Sequence, residues 1–266
     1  MKSIVDRLVR AKWSFMQPLA HYPSQAGVPV SDLFVWRKSE DWETYFELTD
    51  MTGMYDEGVA SENTRAVEVI LFDIQGHEVG RERIMSPLHR RSVIDVSALV
   101  PSVAGELGTF CVLHDATPES VASIGSSLSE RGYISFRYKQ APLRSYVHGN
   151  LNAASRLPDG RVERLAGSGL LEREFRLQHE LRPGFEYEIG VVNASGKTQT
   201  IHCDVLAVVD GRRIETLSVK LPSGGVHAFP VKPHGTSQRI VIRSRLVMAR
   251  PLVFSFKDDK LAVLHG

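Results

Sequence analysis

The chain has 266 residues, with 32 Lys and Arg against 31 Asp and Glu, a formal net charge of +1. So even a balance gives no global field to recruit a nucleic-acid backbone or an anionic membrane. Hydrophobic residues make up 42% and charged residues 24%, which is ordinary globular composition and excludes a disordered or membrane-embedded chain.

Residues 2–19 carry apolar side chains at helical spacing. Ile4, Leu8, Ala11 and Phe15 share one face, flanked by Lys2, Arg7, Arg10 and Lys12. This predicts one N-terminal amphipathic helix, ended by Pro18 and Pro23, with a linker reaching residue 27. The stripe is expected to pack on the body of the protein. The alternative is a weak contact of residues 2–16 with a membrane surface.

From Val30 the period changes from helical to alternating. Phe34 and Trp36 alternate with polar neighbours, as do Trp42, Thr44, Phe46 and Leu48. Val67 to Ile74 and Val79 to Ile84 flank Gln75-Gly76-His77, a hairpin in which Gly76 takes a positive φ. Further short apolar runs follow at Thr109 to Leu113 and Ile134 to Tyr138, where Ile134, Phe136 and Tyr138 point one way and Tyr133, Ser135, Arg137 and Lys139 the other.

The second half repeats this order. Phe175 and Leu177 match Phe34 and Trp36, Tyr187 and Ile189 match Phe46 and Leu48, and Asp210-Gly211 matches the first hairpin. Leu252, Phe254 and Phe256 match Ile134, Phe136 and Tyr138, and the closing Leu264-His265-Gly266 matches Val147-His148-Gly149. Ordered matches at near-constant spacing predict two copies of one unit of roughly 115 to 120 residues. The expected fold is all-β: two tandem immunoglobulin-like antiparallel sandwiches after one helix, with the helix and linker at 1–27, the first sandwich at 28–149 and the second at 150–266. The first copy carries two insertions, within 49–64 and within 115–131. The stretch 150–169 has the composition of a connection, with a turn at Pro158-Asp159-Gly160 and solvated Arg156, Arg161 and Arg164.

No HExxH, GxSxG, P-loop or GxGxxG motif is present. Pro222-Ser223-Gly224-Gly225-Val226-His227 resembles the PxGxxH piece of the second cupin motif. The HxH pair that precedes it in cupins is missing, so the resemblance implies no metal, and a glycine-rich turn is the simpler reading. His202 and Asp204 lie two apart on a strand and share a face, but two ligands do not hold a metal. We expect no metal and no cofactor.

The densest aromatic and basic stretch is Arg131 to Asn150. It supplies the candidate ligand-binding residues Arg137, Lys139, Arg144, Tyr146 and His148, of which His148 is the candidate catalytic group. The recurrence of the histidine as His265 favours a structural role instead. The first functional expectation is a non-enzymatic binding or scaffolding protein whose ligand is a protein or a carbohydrate, with Trp36, Trp42 and Tyr45 as a sugar platform if they are exposed. The alternatives are an enzyme acting on a sugar or small anionic substrate with His148 as acid or base, and a membrane-peripheral accessory protein. Nucleic acid is not an expected partner, because alternation turns Phe136 and Tyr138 inward. Cys111 and Cys203 fall in different halves and are too few for a disulfide framework, and Arg7, Arg10 and Lys12 interrupt any signal-peptide core, so a cytoplasmic location is expected.

Overall fold

The computed structural model describes residue 23 and residues 28–49, 65–86, 91–115, 129–130, 132–247 and 250–265. The expected N-terminal helix and the membrane contact through residues 2–16 lie outside the described residues, as does most of both insertions.

The described chain is all-β and its strands pair almost wholly antiparallel. The first half forms β1 (Val30–Arg37), β2 (Trp42–Thr49), β3 (Arg65–Phe72), β4 (Glu78–Ser86), β5 (Arg91–Asp95), β6 (Leu107–His114), the two-residue β7 (Ser129–Glu130), β8 (Tyr133–Tyr138) and β9 (Ser145–His148). One helical turn, α1 (Val96–Leu99), follows β5 and is capped by the Asp95 carboxylate on the Ala98 amide. Then come β10 (Asn150–Arg156), β11 (Val162–Arg164), β12 (Ser168–Leu181), β13 (Glu186–Val192), β14 (Gln199–Ala207), β15 (Arg213–Leu221), β16 (Val226–Val231), β17 (Gln238–Leu246), β18 (Leu252–Lys257) and β19 (Lys260–His265).

Four sheets result. Their strand orders are β11-β10-β1-β6-β3-β4, with β7 parallel beside β1; β5-β2-β8-β9; β12-β17-β14-β15; and β16-β13-β18-β19. The hairpin between β3 and β4 turns at Gly76, whose φ is 81° and where a Cβ would stand 2.1 Å from the Ser223 carbonyl, so glycine is required for both backbone and space. The stretch after residue 149 is a hairpin rather than a free connection. β10 and β11 close around Pro158-Asp159-Gly160 and pair into the sheet of β1.

The ladders shift one expected match. Ile134 and Phe136 belong to the core between β2 and β6. Leu252 and Phe254 point away from the second half's own core, which holds their neighbour Val253 with Ile189 and Val191. They join instead the apolar cluster of the first half, together with Val192, Val226 and Val263. In the same cluster, β1, β3 and β6 turn Leu33, Val35, Ile70, Phe72, Cys111 and Leu113 away from β2, all buried. Strands covered on both faces explain why β1 is buried almost throughout, although its sequence reads as alternating. Trp42 and Phe136 meet Phe254 edge-on, Arg37 pairs with Glu188 at 2.5 Å, and the Val226 amide donates to the Ile74 carbonyl. The two halves therefore share one apolar cluster, and the second half keeps another of its own.

Two broad sheet faces stay open to solvent. One belongs to β12-β17-β14-β15 and carries His202, Asp204 and Arg243; the other is the outer face of β5-β2-β8-β9. No helix among the described residues is long and apolar enough to cross a membrane.

Candidate functional site

The outer face of β5-β2-β8-β9 is built by alternation. Residues that face each other across a ladder share a side, so three rows form. The first joins Glu43 to Arg137; the second runs Asp95, Tyr45, Ser135, Tyr146; the third runs Val93, Glu47, Tyr133, His148. Tyr133 and Tyr146 are each 47% exposed, Tyr45 is half-buried, and Ser135 is fully buried among them. The close entry to this face needs Gly132, where a Cβ would lie 2.4 Å from the Phe46 ring.

Ser135 sits at the floor, and its Oγ has no hydrogen-bond partner. A buried hydroxyl left unpaired costs on the order of 1–3 kcal/mol, so native folds keep few of them. Glu43 accepts from the Tyr45 hydroxyl at 2.5 Å and pairs with Arg137. Burial raises the Glu43 carboxyl, but the hydrogen bonds from Tyr45 and Arg137 outweigh it and hold the group below the usual carboxylate range. Burial and the bond to Glu43 together push the Tyr45 phenol up. The Arg144 guanidinium lies 3.6 Å over the Tyr45 ring. Among the described residues it makes no close ion pair, unlike Arg137, but its charge also acts on Glu43 and helps hold that carboxyl down.

At the far side of the face, the His148 ring lies 4.1 Å from Tyr133 and 5.7 Å from His265, nearly parallel to the latter at 13°. The His148 amide donates to His265 Nε2 at 3.0 Å. That bond requires an unprotonated Nε2. Burial, helped by the nearby Arg250 and His148, pushes His265 down to about 4. The two histidines thus meet at the junction of edge strands β9 and β19 and are not equivalent: in the bond between them His265 contributes its ring nitrogen and His148 its backbone amide.

Of the five residues singled out from the sequence, Arg137, Tyr146 and His148 share this face by register, and Arg144 joins them through Tyr45. Lys139 does not. It occupies the hairpin after β8 at φ 47° and pairs with Asp259 of the second half. Trp36 and Trp42 are buried, at 0% and 8% exposed, so they form no platform. Tyr45 remains on the open face, with Tyr133 and Tyr146 beside it. Glu43 and Ser135 were not singled out. Alternation puts Ser135 beside Arg137, but only the register of β2 against β8 brings Glu43 to them. Arg164, read as solvated, lies with its guanidinium 4.0 Å over the Phe72 ring, and Nη1 is buried without a hydrogen-bond partner. Burial pushes its pKa down.

No protein-family model matches the chain, and none of the curated proteins matches it.

Proposed function

We propose that the protein is a non-enzymatic binding protein whose ligand, a carbohydrate or another protein, lies on the outer face of β5-β2-β8-β9. The observation that carries this reading is Ser135: an unpaired hydroxyl ringed by Tyr45, Tyr133 and Tyr146 on a rigid sheet. Tyrosines on a frame of strands offer contact area with little loss of side-chain freedom, and each adds a polar tip. The enzyme alternative through His148 has less support. Glu43 is already engaged by Tyr45 and Arg137, and it lies roughly 13 Å along the strands and 10 Å across them from His148, too far for an acid–base pair on one bond.

We infer further that residues 28–149 and 150–266 hold copies of one immunoglobulin-like unit, with the β10-β11 hairpin at the head of the second lying in the sheet of the first. In support, the orders β1-β6-β3-β4 and β5-β2-β8-β9 recur strand for strand as β12-β17-β14-β15 and β16-β13-β18-β19. Second-to-fifth and third-to-sixth pairings are those of immunoglobulin strands B–E and C–F; the first and seventh strands pair differently.

The test is binding of the full chain to an array of immobilised saccharides, repeated with the Tyr133→Ala/Tyr146→Ala variant. Loss of binding in the variant is expected; binding that survives it removes this face from consideration. Turnover of a glycoside that disappears with His148→Ala would establish the enzyme reading instead.

A further inference from the structure

We propose that a second site, separate from the face argued above, binds a small polar zwitterion of amino-acid or dipeptide size, its carboxylate on Arg156 and its ammonium on Glu68. The site is a cleft of about 380 Å³ lined by Glu68, Arg83, Asp115 and Arg156. It forms where the β10-β11 hairpin leans over β3 and β4. Arg156 reaches Glu68, Arg81 donates to the Gly160 carbonyl at 3.0 Å, and Arg164 covers the Phe72 ring. Glu68 and Arg83 face each other across the β3-β4 ladder, so they share a side of the sheet. Asp115, just past the end of β6, accepts from Arg83 at 2.7 Å.

Two pairs of opposite charge line the cleft at different depths. The inner side chains, Glu68 and Arg156, are 15% and 31% exposed; the outer ones, Arg83 and Asp115, are 58% and 40% exposed. The outer pair is hydrogen-bonded and forms a rim closed on itself. The inner pair is not. Arg156 Nη2 stands 3.1 Å from Glu68 Oε2, yet both atoms are buried and neither makes a hydrogen bond. Glu68 Oε1 is held by Arg81, which Glu78 fastens in turn, so the unbonded capacity is confined to Oε2 and Nη2. Buried polar atoms without a bond are rare in native folds, and two of opposite sign lie side by side here. A ligand with one charge would satisfy one of them and part the other from its counter-ion. A carboxylate and an ammonium a few atoms apart satisfy both, the first on the guanidinium and the second on the carboxylate oxygen. Two carboxylates and two guanidiniums cancel around the cleft, so it favours an occupant with no net charge. The volume admits a small molecule and is too small for a folded partner. A metal ion is disfavoured by the two guanidiniums, and no cluster of three metal-ligating side chains occurs among the described residues.

The experiment is calorimetric titration of the full chain with a panel of free amino acids and dipeptides, each beside its N-acetyl form and its C-terminal amide. At least one zwitterion is expected to bind, and both of its blocked forms to bind about tenfold or more weakly. Arg156→Gln is expected to weaken the zwitterion roughly 10- to 100-fold and to leave the amide, which has no carboxylate, unchanged. Glu68→Gln is expected to do the converse, sparing the N-acetyl form. The comparison of free and blocked forms uses the unaltered chain, so it decides the proposal even if a variant fails to fold. Binding by amino acids alone, or by dipeptides alone, supports the proposal and fixes the length of the ligand. Absence of binding across the panel at millimolar concentration, equal binding of free and blocked forms, or binding that both folded variants leave unchanged overturns it.

Discussion

The two open sheet faces of this protein are polar in different ways. On β12-β17-β14-β15 the charges satisfy one another. Asp204, nearly inaccessible, accepts from Arg243 at 2.6 Å and from Thr216 at 2.6 Å, with Arg213 3.5 Å away. Glu172 pairs with the same Arg243, Glu180 pairs with Arg239, and His202 bonds Ser218. On β5-β2-β8-β9 the polar groups include a hydroxyl with no partner and an arginine that lies on a ring and makes no close ion pair among the described residues, acting on Glu43 at longer range. The first arrangement solvates a sheet. The second holds bonding capacity that the fold itself does not use, and that is why we place the ligand there.

The largest effect should come from breaking the self-satisfied face. Asp204→Ala leaves two arginines facing each other across a partly buried site, and a loss of about 2–4 kcal/mol in urea unfolding is expected, with saccharide binding unchanged. Burial raises the Asp204 carboxyl, yet the bonds from Arg243 and Thr216 bring it below its ordinary value. Its contribution is present above about pH 4 and is lost as the pH falls through the lowered folded value.

Next in size is acid sensitivity at the margin of the site. His265 is depressed to about 4 in the folded chain, against 6.5 ordinarily, so between these values the unfolded chain binds the extra proton. Stability should fall by on the order of 2 kcal/mol as the pH drops from 6.5 to 4, after allowing for partial exposure. In His265→Gln the amide oxygen still accepts from His148, and that part of the slope should vanish. An unchanged slope in the variant would show that His265 is not held unprotonated.

These differences between faces were only partly legible in the sequence. The Gly76 hairpin, the burial of Trp36 and Trp42 by alternation, and the outward turn of Arg137 all follow from local pattern. Glu43 and Tyr45 reach Arg137 and Ser135 through a ladder that joins strands about 90 residues apart in the chain, a register that period alone does not specify. Phe254 was matched to Phe136 as the same place in a second copy; Leu252, Val253 and Phe254 are apolar and buried in succession, so their period gives no facing. Arg164 was misread for a related reason: its neighbour Phe72 comes from another sheet strand far away in sequence.

A smaller and sharper contrast lies in one atom. Removing the unpaired Ser135 hydroxyl with Ser135→Ala should stabilise the unliganded chain by about 1 kcal/mol, whereas a satisfied hydroxyl would make the change destabilising. Thermal unfolding reads the sign. The smallest effect is expected at Glu172→Gln, an exposed partner of Arg243, whose loss should cost no more than about 0.5 kcal/mol.

The most direct measurement is an amide chemical-shift map of the full chain titrated with a saccharide that binds on the array. The account predicts that the perturbed amides cluster at Tyr45, Tyr133, Ser135, Arg144 and Tyr146, with β14 and β15 silent. Shifts centred on His202, Asp204 and Thr216 would contradict it, because they would place the ligand on the face whose charges already satisfy one another.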